Sequence, residues 1–96
     1  MLKYEFEDTL VSAINENLEI NLNEKEHKCI LSVREVDESI SNEKYNVTYT
    51  GSILIERLNP TLLENKYIAI DFVITTDKNY PNEIKCKINV EYEYEN

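Results

Sequence analysis

Among 96 residues the sequence holds one glycine, two prolines, two cysteines, one histidine and no tryptophan. A single glycine cannot build a glycine-rich phosphate loop, and no Gly-x-Ser-x-Gly nucleophile turn is present. The same scarcity, with that of proline, excludes a collagen-like repeat or a flexible linker. Cys29 and Cys86 stand far apart in the chain, so the close Cys-x-x-Cys pairing of a zinc site is missing. No metal and no cofactor is expected. Long apolar runs are also lacking. The longest are three or four residues, such as Ile53-Leu54-Ile55, where a membrane span needs about 20. The acidic N-terminus, Met1 to Asp8, does not have the basic-then-apolar order of a signal peptide. The expectation is a cytoplasmic protein, in the host cell's cytoplasm if a phage encodes it, with thiols kept reduced.

Cations are scarce as well. Ten Lys and Arg face nineteen Asp and Glu, for a net charge of −9. Direct binding to nucleic acid or to an anionic membrane needs clustered cations, so neither is expected. A basic partner, or solubility alone, fits the charge. Lys outnumbers Arg 8 to 2, and Asn and Ile are common, which fits the AT-rich codons of some bacteria and their phages. Val, Ile, Leu and Phe together make up 28 residues, above the roughly 20% below which a chain cannot build a core. One domain, residues 1–96, is the natural count.

Apolar periodicity supplies the architecture. Phe6, Leu10, Ile14 and Leu18 recur every four residues, the stripe of an amphipathic helix over 4–18. Asn in the segment that follows is read as its terminator. From Lys28 the period is two. Cys29, Leu31 and Val33 share a side, and a polar turn is expected at 39–43. Tyr45, Val47, Tyr49, Ile53 and Ile55 share a face of one long strand, with Gly51 in phase as a bulge or bend. Asn59-Pro60 suits a short helical turn. Ile68, Ile70, Phe72 and Ile74 mark the most apolar strand, and Glu83 to Glu95 alternates without a fault. Short connections favour antiparallel neighbours. The spacing thus predicts an α+β fold: an N-terminal amphipathic helix packed on a four-stranded antiparallel meander, a two-layer sandwich.

Catalytic signals are weak. His27 lies at a loop-to-strand junction with no placed partners. The two cysteines alternate with apolar residues and read as small buried hydrophobes. Asp37-Glu38 and Asp71 lack the further groups that an acid–base pair or a metal site would need. A non-enzyme is expected.

Three surface features remain. Glu16 and Glu19 lie near the helix end, where acids oppose the helix dipole. Glu91, Glu93 and Glu95 form a comb on the last strand at about 6.6–6.8 Å intervals, a spacing of the same order as that between phosphates. Tyr67, Ala69 and Val73, with Leu54 and Leu58, give the second sheet face an apolar character unusual for a solvated one. The preferred reading is that the segment around Leu62 and Leu63 covers that face; the other is an interface.

In size and charge the chain is similar to the small acidic inhibitors that phages carry against host defence, anti-CRISPR proteins and DNA mimics among them. The similarity lies in composition and involves no motif. It implies a non-catalytic inhibitor that blocks a basic, nucleic-acid-binding surface of a larger protein, with Glu16, Glu19, Glu91, Glu93 and Glu95 supplying attraction and Tyr92 and Tyr94 contact area. The alternative is a structural component, of the phage tail or neck kind, that forms a homo-oligomer through Tyr67, Ala69 and Val73.

Overall fold

The computed structural model describes residues 4–42, 44–77 and 80–94, of which 80–82 and 92–94 are described as backbone path alone. One helix, α1 (Glu7–Leu18), precedes four strands: β1 (His27–Ser41), β2 (Lys44–Arg57), β3 (Tyr67–Asp77) and β4 (Tyr80–Tyr94). The strands pair antiparallel in the order β1-β2-β3-β4. This is the α+β meander that the periodicity predicts.

The helix begins later and ends differently than its apolar stripe implies. Phe6 occupies the N-cap without a side-chain cap, behind a turn in which the Glu7 N–H donates to Tyr4 O at 3.1 Å. Asn15 closes the helix from within. Its backbone carbonyl accepts from Ile20 N–H at 3.2 Å, and its side-chain oxygen accepts from Leu22 N–H at 2.9 Å. The left-handed residue that Asn was expected to supply is Glu19, at φ 54°.

Side chains pointing to one sheet face meet the helix. Phe6, Leu10 and Ile14 pack with Ile53, Ile55, Ile68, Ile70, Phe72 and Ile74, all at most 5% exposed. Phe6 lies 4.9 Å from the Tyr49 ring and 5.8 Å from that of Phe72, centroid to centroid. A helix of 12 residues is about 18 Å long, whereas strands of 15 residues run to about 50 Å. The molecule is accordingly 52 Å long and 25 × 20 Å across. The helix cannot reach the β1–β2 hairpin end, so Val36 and Ile40 on the same face stay 52% and 76% exposed.

Three register shifts interrupt the pairing, one in the middle of β1, one near the end of β4 and one where β4 begins. In β1, Val33 opposes Gly51 and Glu35 opposes Thr50, so Arg34 is extra. In β4, Val90 opposes Ile70 and Tyr92 opposes Ala69, so Glu91 is extra. Gly51 itself stays in unbroken register with β3; the bulge it was expected to make lies across from it. The residue is glycine because a Cβ there would run into the Ser32 carbonyl oxygen and come within 2.9 Å of the Phe72 ring and 3.0 Å of Val33 Cα.

Candidate interaction surface

The sheet has a second face, and among the described residues no layer covers it. Reading across from β1 to β4, its rows are Lys28–Glu56–Tyr67–Tyr94, Ile30–Leu54–Ala69–Tyr92, Ser32–Ser52–Asp71–Asn89, Glu35–Thr50–Val73–Lys87 and Asp37–Thr48–Thr75–Lys85. One end is apolar and aromatic, the middle is charged and the far end is polar. Ile30 is 57% exposed, and Leu58 and Val73 are 43% exposed.

The expected cover is not there. The segment after Pro60 is a turn rather than a helical turn. The Thr61 N–H donates to Glu64 Oε1 at 2.9 Å and the Glu64 N–H to Thr61 O at 3.1 Å. Donation from the Thr61 N–H, and then from the Thr61 side chain, holds the Glu64 carboxyl below the usual carboxylate range, with help from the Arg57 charge. Arg57 ties the turn to β2, donating to Asn65 O at 2.6 Å and pairing with Glu64 at 3.6 Å. A loop this short spends its polar groups on itself, and Leu62 and Leu63 project into solvent, fully exposed.

At the middle of the bare face both bulges aim at one residue. Arg34 reaches across β2, over Ser52, to within 3.7 Å of Asp71. Glu91 reaches Asp71 from the other side; their shared hydrogen bond and the Asp71 charge push the Glu91 carboxyl above its usual range. Bulges commonly re-aim side chains in this way. Glu91 therefore carries less negative charge at mildly acid pH than a free glutamate would.

The β4 bulge also redistributes the residues singled out in the sequence. The comb is interrupted: Glu91 lies on the bare face, Glu93 opposes Ile68 in a helix-side row, and Glu95 lies outside the described residues. Tyr92 and Tyr94 oppose Ala69 and Tyr67, so the expected contact tyrosines share rows with the expected self-association residues. Glu16 and Glu19 are exposed on the helix side, separated by the sheet from Glu91.

The chemistry-bearing residues are dispersed. Cys29 is exposed and Cys86 half-exposed, which corrects the expectation that both are buried. They sit on the two outer strands, three strand spacings or about 14 Å apart across the sheet and six residues apart along it, beyond the ~7 Å limit for a disulfide. His27 borders a cleft of about 480 Å³ with Glu19, Glu26, Arg57 and Glu64. Its Nδ1 accepts from Asn23 N–H at 3.4 Å, and Arg57 is engaged by the turn, so these groups serve the local fold. Among the described residues no group of three His, Cys, Asp or Glu is arranged to hold a metal, and no helix is long and apolar enough to cross a membrane. Arg34 and Ile30 were not singled out in the sequence; the only signal was the skipped phase between Val33 and Val36.

No protein-family model, no curated protein and no solved structure matches the chain.

Proposed function

We propose that the protein is a non-catalytic assembly component that associates with copies of itself through the bare sheet face. The observation that supports this is the uncovered row Ile30–Leu54–Ala69 beside Tyr67 and Leu58, left open by a loop that turns its leucines outward. A contiguous apolar patch without a covering layer marks an interaction site. Four strands of about eleven residues each span roughly 700 Å², close to the ~800 Å² that each partner contributes to a standard interface. The test is sedimentation equilibrium from low to high protein concentration. A defined oligomer is expected, and Ala69→Arg, which places a charge in the half-exposed middle of the patch, dissociates it while leaving the circular dichroism spectrum unchanged. A wild-type chain that stays monomeric at high concentration refutes the reading.

A second reading, an acidic inhibitor that blocks a basic nucleic-acid-binding surface, is favoured by the helix side of the molecule. There Glu5, Asp8, Glu16 and Glu19 flank a helix whose last turn holds no cation. The two faces are separate, so a dimer through the sheet leaves these acids outward.

A further inference from the structure

We infer that the bare face pairs with a second copy about a two-fold axis running parallel to the strands between β2 and β3, so that β1 of each copy lies over β4 of the other. This rests on the self-association reading and adds the partner's orientation to it. Two sheets packed face to face about an in-plane axis have two simple arrangements. An axis across the strands reverses the row order. It would set Ile30–Leu54–Ala69 against Glu35–Thr50–Val73–Lys87, burying the apolar row against one with a charge at each end. An axis along the strands keeps each row over itself and reverses its direction, so the apolar rows meet.

Charge selects the same arrangement. The row Glu35–Thr50–Val73–Lys87 begins with an acid on β1 and ends with a base on β4, and so does Asp37–Thr48–Thr75–Lys85. All four charged residues are exposed. Reversing each row over itself puts Glu35 of one copy opposite Lys87 of the other, and Asp37 opposite Lys85, each pair occurring twice by symmetry. The bulged residues of the same two strands, Arg34 and Glu91, are again of opposite sign. Along the inner strands Leu54 comes over Ala69 and Thr50 over Val73, a large side chain facing a small one in the first case. Aligned sheets cross at about 30°. At the outer strands, roughly 7 Å from the axis, that displaces a row by about one residue, within reach of a lysine side chain.

The face is also where a chain of net charge −9 can best meet its own copy. By register and alternation it carries Lys28, Arg34, Lys44, Lys85 and Lys87 against Glu35, Asp37, Glu56, Asp71, Asp77, Glu83 and Glu91, while the rest of the chain holds the larger share of the excess acid.

Reciprocal charge swaps measure the orientation. Glu35→Lys alone and Lys87→Glu alone each turn two attractive contacts into repulsive ones, and each is expected to weaken the dimer by roughly tenfold. The double variant exchanges the signs and is expected to return to within about threefold of wild type. Asp37→Lys with Lys85→Glu forms an independent second pair, which keeps the test decisive if one variant folds badly. Dimerisation indifferent to the single reversals, or a double variant no stronger than the singles, overturns the orientation and leaves the sheet-face reading standing. A monomeric wild type overturns both.

Discussion

Replacing Gly51 by alanine tests whether this glycine is present for space rather than for backbone freedom. In an ordinary strand the change stabilises, because glycine in a strand interior is worse than alanine by about 0.5–1 kcal/mol. Here the added methyl meets the Ser32 carbonyl, the Val33 backbone and the Phe72 ring. Two of these are backbone atoms of the paired strand and cannot rotate away. The third is fixed beneath Phe6, with both rings at most 1% exposed. Overpacking of this kind costs about 1–3 kcal/mol, and backbone atoms place it toward the upper end. After the gain in propensity is subtracted, a net loss of about 2 kcal/mol remains. For a domain of this length that lowers Tm by about 8–16 °C. Thermal unfolding followed by circular dichroism reads the shift. Ser52→Ala, on the opposite face of the same strand, serves as a control expected within about 0.5 kcal/mol of wild type. Hydrogen exchange at Ser32 and Val33 should accelerate in the alanine variant, because β1 is the strand that must move. A variant that melts at or above the wild-type temperature refutes the reasoning.

Glu64 should titrate below the ordinary glutamate value of 4.5. Because its folded value is lowered, the turn it holds is fully formed above the unfolded value and loosens as pH falls through the folded one. A carboxyl chemical-shift titration, with the Thr61 amide as a second probe, reads both effects; an unshifted midpoint removes the turn's account. If the acidic helix side binds a basic protein, nuclease-treated lysate should yield one at about 0.1 M salt and lose it at about 0.5 M. Glu16→Lys with Glu19→Lys should abolish that capture, while Glu91→Lys, on the other face, should leave most of it; salt-independent capture counts against this reading.

How far the sequence could be read depended on whether a break in alternation changed the polarity of the pattern. The strands and the helix stripe were legible because Ile68, Ile70, Phe72 and Ile74, or Phe6, Leu10 and Ile14, admit a single period. The β1 bulge left a trace: after Leu31 and Val33 the next apolar residue is Val36, one position out of phase. Gly51 drew attention to the right place but to the wrong strand, since a glycine marks close approach as readily as a bend. The β4 bulge left no trace. Tyr92 and Tyr94 are amphipathic, so Val90-Glu91-Tyr92-Glu93-Tyr94 alternates equally well in either register, and only pairing with β3 decides between them. The bare face was half legible. Its apolar residues were seen, but whether Leu62 and Leu63 would cover it turned on the hydrogen bonds between Thr61 and Glu64, and local pattern does not carry those.

The two bulges also bear on what the rims of the sheet can accept. Both fall in outer strands, and an outer strand offers unpaired backbone donors and acceptors that any extended chain can join. Arg34 breaks that offer in the middle of β1 and Glu91 three residues before the end of β4, where a joining chain would lose its register and meet a kink. Growth by adding strands at the rim, the route into fibrils, is thereby hindered on both long sides. What remains open is the flat of the plate, and under the proposed self-association a single partner of the same outline would cover it, so that association there would end after one step.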